Sequence, residues 1–168
     1  MTPSFNQAAY LEQTMRSVLL QEYPALEYLV LDGGSTDGSR QVVEHYAASL
    51  SFWRSAPDGG QSAAVADGFA RSSGEVLGWV NSDDLLLPGC LLRVGRYMAE
   101  HPDTGCVVGG TVLVDTQLRP VRDKLGLPRI SRGAPETLAR MLSRRGCDFY
   151  QPASFWRRST YEAAGGLV

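Results

Sequence analysis

Short apolar runs alternate along this chain with longer segments in which apolar residues recur every three or four positions. The short runs have the length and composition of buried strands, and the longer segments have the spacing of amphipathic helices. The predicted strands are 26–31, 50–54, 76–80, 106–114 and 151–156. The predicted helices are those that carry Leu11 and Met15, Val42 and Val43, and Leu91 and Val94, together with 61–70, 135–145 and 159–164. This alternation predicts an α/β fold in which a mainly parallel central sheet is covered by helices on both faces.

Polar loops follow the predicted strands at the points where helices begin. Residues 1–6 have the pattern of a strand end that runs into a loop, and Asn6 is expected to cap the first helix. Residues 32–39 and 57–60 are rich in turn-forming residues and follow the next two strands. Open α/β sheets bind ligands at the carboxyl ends of their strands, so these loops predict a ligand site at that edge of the sheet.

The strand 76–80 leads into two adjacent carboxylates, Asp83 and Asp84. Neighbouring carboxylates repel each other, so the pair is typical of a site for an oxygen-seeking divalent cation, Mg²⁺ or Mn²⁺. Substrate phosphates usually complete the coordination of such ions, which indicates a metal and diphosphate site. The alternative is local, because Ser82 or Asp84 is also suited to cap the helix that begins near Pro88.

Composition and charge narrow the class of protein. At 168 residues, 43% of them hydrophobic and 20% charged, the chain is expected to form one globular domain. The net charge of −2 gives no basic excess for nucleic acid, and no apolar run is long enough to span a membrane. The three cysteines lack CxxC spacing and are expected to be free, buried thiols of a reducing cytoplasm.

Periodicity disappears between residues 116 and 132, where proline and glycine interrupt every pattern. Basic residues concentrate in the same stretch: Arg119, Arg122, Lys124, Arg129 and Arg132. We expect an irregular, mobile segment near the active face, and a merely solvated loop is the alternative.

Four stretches, taken in order, resemble family 2 glycosyltransferases of the GT-A fold. They are Thr2–Gln7, Asp32–Gly38, Asn81–Asp84, and Gln151-Pro152 with Gly165-Gly166. The likeness covers almost the whole chain, and the ordered combination is more specific than any one motif. It favours a metal and diphosphate site at the acidic pair over a helix cap.

The resemblance implies roles for individual residues on the donor side. The implied donor-binding residues are Pro3, Ser4, Asp32, Asp58, Gln61 and Asp83. Among them, Asp32 matches the acidic residue with which family members contact the nucleobase, typically uracil. Asp83 and Asp84 match the motif that binds ribose and metal, with Asp84 as the direct metal ligand. Local roles remain open, because Asp32, Asp37 and Asp58 are also suited to order their own turns.

On the acceptor side, the resemblance places Gln151 where the family builds part of the acceptor and donor-sugar pocket. Trp156 is a further acceptor-side candidate, although a tryptophan here is better suited to the core than to a sugar platform. The family's acid near the acceptor tends to follow the position of Gly165-Gly166, so the catalytic base is expected beyond Val168. Asp148 is the nearest remaining carboxylate and does not match that position. A first strand is likewise expected to precede Thr2, so we interpret residues 1–168 as one incomplete domain that binds nucleotide and metal but turns over poorly.

The activity implied by the resemblance is inverting, metal-dependent transfer of a sugar from a nucleotide-diphosphate donor, UDP-sugar above all, to a hydroxyl acceptor. The acceptor is expected to be a glycan or a lipid-linked glycan of cell-surface polysaccharide or lipopolysaccharide synthesis. The expected location is the cytoplasm, at the inner face of the membrane, with peripheral membrane association. A nucleotidyltransferase and a non-catalytic sugar-nucleotide-binding module remain alternatives. A dinucleotide-dependent oxidoreductase is disfavoured, because Gly33–Gly38 lacks GxGxxG spacing.

Overall fold

The computed structural model describes residues 1–131 and 151–167, which form alternating strands and helices. The strands are β1 (Thr2–Ser4), β2 (Leu29–Asp32), β3 (Phe52–Ser55), β4 (Val76–Gly78), β5 (Cys106–Val108), β6 (Thr111–Val112), β7 (Ile130–Ser131) and β8 (Ser154–Arg157). The helices are α1 (Ala8–Leu19), α2 (Ser39–His45), α3 (Gln61–Arg71), α4 (Cys90–Glu100) and α5 (Arg158–Ala163). The chain divides into two compact units, Met1–Val107 with Phe155–Val168, and Val108–Ser154. The expectation of one domain over 1–168 stays a prediction.

A parallel sheet of three strands, in the order β1-β2-β3, organises the first unit. In its register Ser4 lies beside Asp32, and Asp32 lies beside Ser55, so these three strands end together. A backbone hydrogen bond of 3.0 Å from Val80 N to Met1 O connects the end of β4 to β1. Strand β4 then pairs antiparallel with β8. The predicted α/β architecture with a mainly parallel sheet and flanking helices is confirmed.

Helix α1 packs its apolar face into the main core of this unit. Leu11, Met15 and Val18, which recur at helical spacing in the sequence, are all buried. They belong to one cluster with Val30 of β2 and Val43 of α2. Full burial of each such side chain contributes about 1.5–3 kcal/mol, so this cluster fixes α1 and α2 against the sheet.

Asn6 does not cap α1, so the sequence prediction was wrong at this point. The cap position belongs to Gln7, whose side chain makes no capping hydrogen bond. Asn6 has a φ of 53°, and its Oδ1 instead accepts a hydrogen bond of 3.0 Å from Thr36 N. The free amide at the start of α1 is satisfied from the next loop, because Ala8 N donates to Asp37 Oδ2 at 2.9 Å.

Several element boundaries in the structure differ from the predicted ones. The run 106–114, predicted as one strand, is divided into β5 and β6 at its glycine pair. The run 151–156 begins with a 3₁₀ turn, Gln151–Ala153, and only then forms β8. Cys106 is a free thiol that is exposed rather than buried. The helix predicted over 135–145 and the carboxylate of Asp148 lie outside the described residues.

The segment 116–131 in the second unit is more ordered than its sequence suggested. Strand β6 pairs antiparallel with β7, which joins Val112 to Ile130. Two isolated bridges, from Val114 to Pro120 and from Arg122 to Pro128, hold the chain between them. Among the parts of the chain that the structure describes, no helix has the length and apolar character needed to cross a membrane.

Candidate functional site

The carboxyl ends of β1, β2 and β3 bring three predicted loops to one edge of the sheet. Gly33 N donates to Ser4 O at 2.8 Å, and Ala56 N donates to Asp32 O at 3.0 Å. These bonds continue the strand ladder by one residue beyond each strand. The loops that carry Ser4, Asp32 and Asp58 therefore start from adjacent positions at the edge where open α/β sheets bind ligands.

Asp32 is fully buried and binds donors from its own loop and from β3. Its Oδ2 accepts hydrogen bonds from Ser35 N at 3.0 Å and Ser55 Oγ at 2.6 Å, and its Oδ1 accepts one from Ser35 Oγ. The local role left open by the sequence is therefore real, because Asp32 fixes the loop after β2 to β3. Contact between Asp32 and a nucleobase stays a prediction.

Asp58 lies against the loop after β2, next to the predicted donor residue Asp32. Its Oδ1 accepts a hydrogen bond of 2.8 Å from Gly60 N, so the turn role is also present. A Cβ built on Gly33 would lie 3.3 and 3.4 Å from the two carboxylate oxygens of Asp58. Glycine at position 33 therefore lets the exposed carboxylate of Asp58 approach the backbone next to Asp32.

Two residues at the end of β1 line the same edge. Pro3 and Ser4 are both buried, with Ser4 only 6% exposed. Within residues 1–131 and 151–167, Ser4 Oγ has no hydrogen-bond partner. A buried hydroxyl without a partner costs about 1–3 kcal/mol, which a ligand or water at this edge would offset.

A chain of polar side chains connects α3 to the acidic pair. Gln61 Nε2 donates to Asn81 Oδ1 at 2.6 Å, and Asn81 Nδ2 donates to Asp84 Oδ2 at 3.1 Å. The backbone closes the same turn, since Asp84 N donates to Asn81 O at 3.0 Å. The sequence-based prediction missed this positioning role of Asn81, although its place directly after the β4 run was a usable signal.

The electrostatics of Asp84 fit a divalent cation. Partial burial raises the pKa of Asp84, the hydrogen bond from Asn81 opposes this change, and the charge of Asp83 adds to it. The helix-cap alternative is wrong, because the cap position of α4 is Gly89 and no side chain caps that helix. Two adjacent carboxylates, one of which accepts a hydrogen bond from the neutral amide of Asn81, suit Mg²⁺ or Mn²⁺, which carry several water or phosphate oxygens besides their protein ligands. The described residues contain no group of three or more His, Cys, Asp or Glu side chains placed to hold a metal ion.

The predicted acceptor residues fall in different units. Trp156 of β8 stacks on Trp79 with ring centroids 5.0 Å apart and planes inclined by 14°. Its backbone pairs with Leu77 of β4, so one face of this indole is used in packing. Gln151 opens the 3₁₀ turn of the second unit. Their roles toward an acceptor stay predictions.

Solved structures with the same architecture define the class of fold. A fragment of Staphylococcus aureus TarS, solved in complex with UDP-GlcNAc, superposes with a TM-score of 0.68 at 19% identity over 98% of this chain and 46% of that one. The mannosyltransferase PcManGT of Pyrobaculum calidifontis, solved with GDP-Man and Mn²⁺, gives a TM-score of 0.67 at 19% identity over 98% and 45%. The chain has the GT-A fold of these glycosyltransferases.

The family itself is established by sequence. The model of glycosyl transferase family 2 matches residues 1–164, so the chain belongs to that family. An uncharacterized glycosyltransferase of Mycobacterium tuberculosis is 37% identical over 84 residues, which cover 49% of this chain and 32% of that protein. The putative teichuronic acid biosynthesis glycosyltransferase TuaG of Bacillus subtilis is 31% identical over 103 residues, or 60% and 41%. The matched part thus spans less than half the length of these relatives.

Proposed function

We propose that this chain forms the donor side of an inverting glycosyltransferase that moves a sugar from a UDP-sugar to a hydroxyl acceptor. One observation carries the proposal: β1 and β2 end in the buried, unpartnered hydroxyl of Ser4 and the buried Asp32, and the loops after β3 and β4 add Asp58 and the acidic pair at the same edge of the sheet. Family membership supports the reaction class. The nucleotide would contact Pro3, Ser4, Asp32, Asp58 and Gln61.

Asp83 and Asp84 would hold the divalent cation, with Asp84 as the direct ligand. A bound Mg²⁺ or Mn²⁺ acts as a Lewis acid toward the diphosphate and stabilises negative charge on the leaving group. Asn81 orients the Asp84 carboxylate through its amide, and Gln61 fixes that amide in turn. The complex of PcManGT contains both GDP-Man and Mn²⁺, which supports a metal of this kind.

The setting that we propose is synthesis of a cell-surface polysaccharide or lipopolysaccharide. The similarity to TuaG, a putative glycosyltransferase of teichuronic acid biosynthesis, supports it. So does the hyaluronan synthase of Streptococcus pyogenes, which is 36% identical over 98 residues, or 53% of this chain and 23% of that protein. A glycan or lipid-linked glycan would be the acceptor, with Gln151 and Trp156 on its side, and the protein would work at the inner face of the membrane.

Calorimetric titration of UDP, with and without Mn²⁺, tests the donor site. Asp84→Asn is the informative variant, and Asp103→Asn, an exposed carboxylate after α4, is the matched control. We expect Mn²⁺-dependent binding that weakens about tenfold or more in Asp84→Asn, since an interaction with a charged group contributes roughly 1.5–3 kcal/mol. GDP titrated in parallel reports the choice of base. UDP binding that does not depend on Mn²⁺, or equal affinity in both variants, would overturn the metal assignment. A folded chain that binds neither UDP nor GDP would overturn the donor site.

A further inference from the structure

Two turns of the second unit repeat the same geometry eight residues apart. In the first, Asp115 Oδ1 accepts hydrogen bonds from Gln117 N at 2.9 Å and Arg119 N at 3.0 Å. In the second, Asp123 Oδ1 accepts them from Leu125 N at 2.8 Å and Leu127 N at 3.0 Å. We call residues 111–131 the paired-turn segment. Each carboxylate accepts hydrogen bonds from the backbone of its own turn, and Asp115 Oδ2 also accepts one of 2.9 Å from Arg119 Nε, which makes the tips well defined.

The two turns also share a left-handed residue, and this comparison identifies Leu118 as unusual. The fourth residue of the second turn is Gly126, with a φ of 76°, whereas the first turn has Leu118 at a φ of 59°. A residue with a side chain is disfavoured in this region, because its Cβ lies too close to the following carbonyl oxygen. Leu118 is also 49% exposed, so burial of its side chain does not offset that cost.

Apolar side chains are exposed throughout the paired-turn segment. Leu125 at the second tip is 83% exposed, the highest value among the exposed large hydrophobic residues of 1–131 and 151–167. The others that matter are Val112, Val114, Leu118, Leu127 and Ile130, which are 36 to 59% exposed. Val112 lies directly opposite Ile130, so their side chains share one side of the β6–β7 pair. A concentration of exposed apolar groups of this kind marks an interaction surface.

Basic side chains are interleaved with these apolar ones. Arg119, Arg122, Lys124 and Arg129 belong to the same segment, and its only acids are the two turn aspartates. The unit Val108–Ser154 has eight basic and four acidic residues, whereas the rest of the chain has eight basic and fourteen acidic ones. The positive charge of an acidic chain is therefore concentrated in the unit that exposes its apolar side chains.

We propose that the paired-turn segment is a docking surface for an anionic lipid bilayer. Exposed leucines at rigid tips would enter the boundary between headgroups and acyl chains, and the flanking guanidinium and ammonium groups would meet the anionic headgroups. The positive charge of the paired-turn segment favours an anionic bilayer over a protein partner. A protein that bound the apolar tips alone would not require four basic side chains around them. The proposal goes beyond the donor site and uses none of its residues.

Sedimentation with vesicles tests the surface without nucleotide. The full chain is mixed with vesicles of phosphatidylcholine alone or with phosphatidylglycerol added to about a third of the lipid, which supplies the anionic charge. We expect binding to the anionic vesicles only, with about tenfold weaker partitioning for Leu125→Ser. The double variant Lys124→Gln/Arg129→Gln should partition about 25-fold more weakly, since each cation contributes about fivefold. All three changed side chains are exposed, so circular dichroism should show unchanged folding.

Matched controls come from the first unit. Leu20→Ser removes another leucine that is 68% exposed, and Arg16→Gln/Arg40→Gln removes two exposed cations of α1 and α2. Both controls should bind vesicles like the parent chain. Equal losses in control and test variants would overturn the proposal, as would equal binding to neutral vesicles or none to anionic ones. A dimer in solution that dissociates in Leu125→Ser would instead assign the surface to a second copy and overturn the lipid assignment. These readouts are independent of UDP binding.

Discussion

At the scale of single residues, the site depends on which side chain stands where two loops meet. Gly33 is the clearest case, because its missing side chain makes room for the carboxylate of Asp58. The carboxylate is exposed, while the backbone of Gly33 is fixed by its hydrogen bond to Ser4. A small change at position 33 should therefore move a binding group without disturbing the core.

Gly33→Ala should weaken UDP binding roughly three- to tenfold while the melting temperature changes by no more than about 2 °C. The added Cβ meets the flexible end of Asp58 at 3.3 Å, and surface changes of this kind cost within about 0.5 kcal/mol. Calorimetry and thermal unfolding give the two readouts. Gly74→Ala is the control, since its Cβ finds only ordinary contacts of 3.7 Å or more. If Gly33→Ala binds UDP as tightly as the parent chain, Asp58 is not part of the donor site.

The sequence predicted the position of the charged residues better than their partners. Asp32 ends a strand and Asp58 and Asp84 follow strands, so hydrophobic patterning alone predicts them at one edge of the sheet. Their hydrogen bonds to Ser55 and Asn81 depend on the register between strands and on side-chain rotamers. Hydrophobic periodicity carries no information on register or rotamers, so it does not predict those contacts.

At the scale of elements, the start of α1 illustrates how a loop distant in sequence completes a helix. Asp37 lies 29 residues from Ala8, yet its Oδ2 accepts from Ala8 N at 2.9 Å while its Oδ1 accepts from Ser39 N and Ser39 Oγ. Propensity rules consider only neighbours along the chain, and they therefore chose Asn6 as the cap. The same rules located the body of α1 correctly, because burial of Leu11, Met15 and Val18 depends on spacing alone.

Asp37→Asn should lower the melting temperature near neutral pH, and the difference should shrink in acid. The Ser39 hydroxyl, then the amide of Ala8, lower the pKa of Asp37 below its ordinary value of 3.8. A carboxyl with a lowered native pKa contributes stability that is full above about pH 4 and is lost as the pH falls through the native value. Thermal unfolding of both proteins near neutral pH and at about pH 3, beside Asp103→Asn, measures this. A difference that grows toward acid would contradict this role of Asp37.

At the scale of the whole molecule, two consecutive arginines tie the C-terminal segment to the carbonyl ends of two helices in the first unit. Arg157 donates to Met98 O at 2.7 Å and to Thr104 O at 3.0 Å, next to the end of α4. Arg158 donates to Ser72 O at 2.9 Å and to Gly74 O at 3.0 Å, just past the end of α3. Cations at these ends also complement the helix dipoles.

Arg158→Gln should destabilise the chain by about 2–3 kcal/mol, because several hydrogen bonds from one charged group are lost together. Arg158→Lys should recover less than half of this loss, since an ammonium group lacks the planar fork. The comparison is Arg40→Gln, an exposed partner of Glu44, which should cost no more than about 0.5 kcal/mol. Chemical denaturation of the three variants gives these values, and equal costs for Arg158→Gln and Arg40→Gln would refute this stabilising role of Arg158.

We propose that nucleotide diphosphate and metal bind together at the carboxyl ends of β1 to β4. The most direct test is the amide NMR spectrum of the chain titrated with UDP and Mn²⁺, because the paramagnetic ion broadens signals near it. We predict broadening centred on residues 81–85, extending to 58–61 and 33–35, and sparing 72–75 at the opposite end of β4. Broadening centred elsewhere, or unchanged by Asp84→Asn, would contradict the claim.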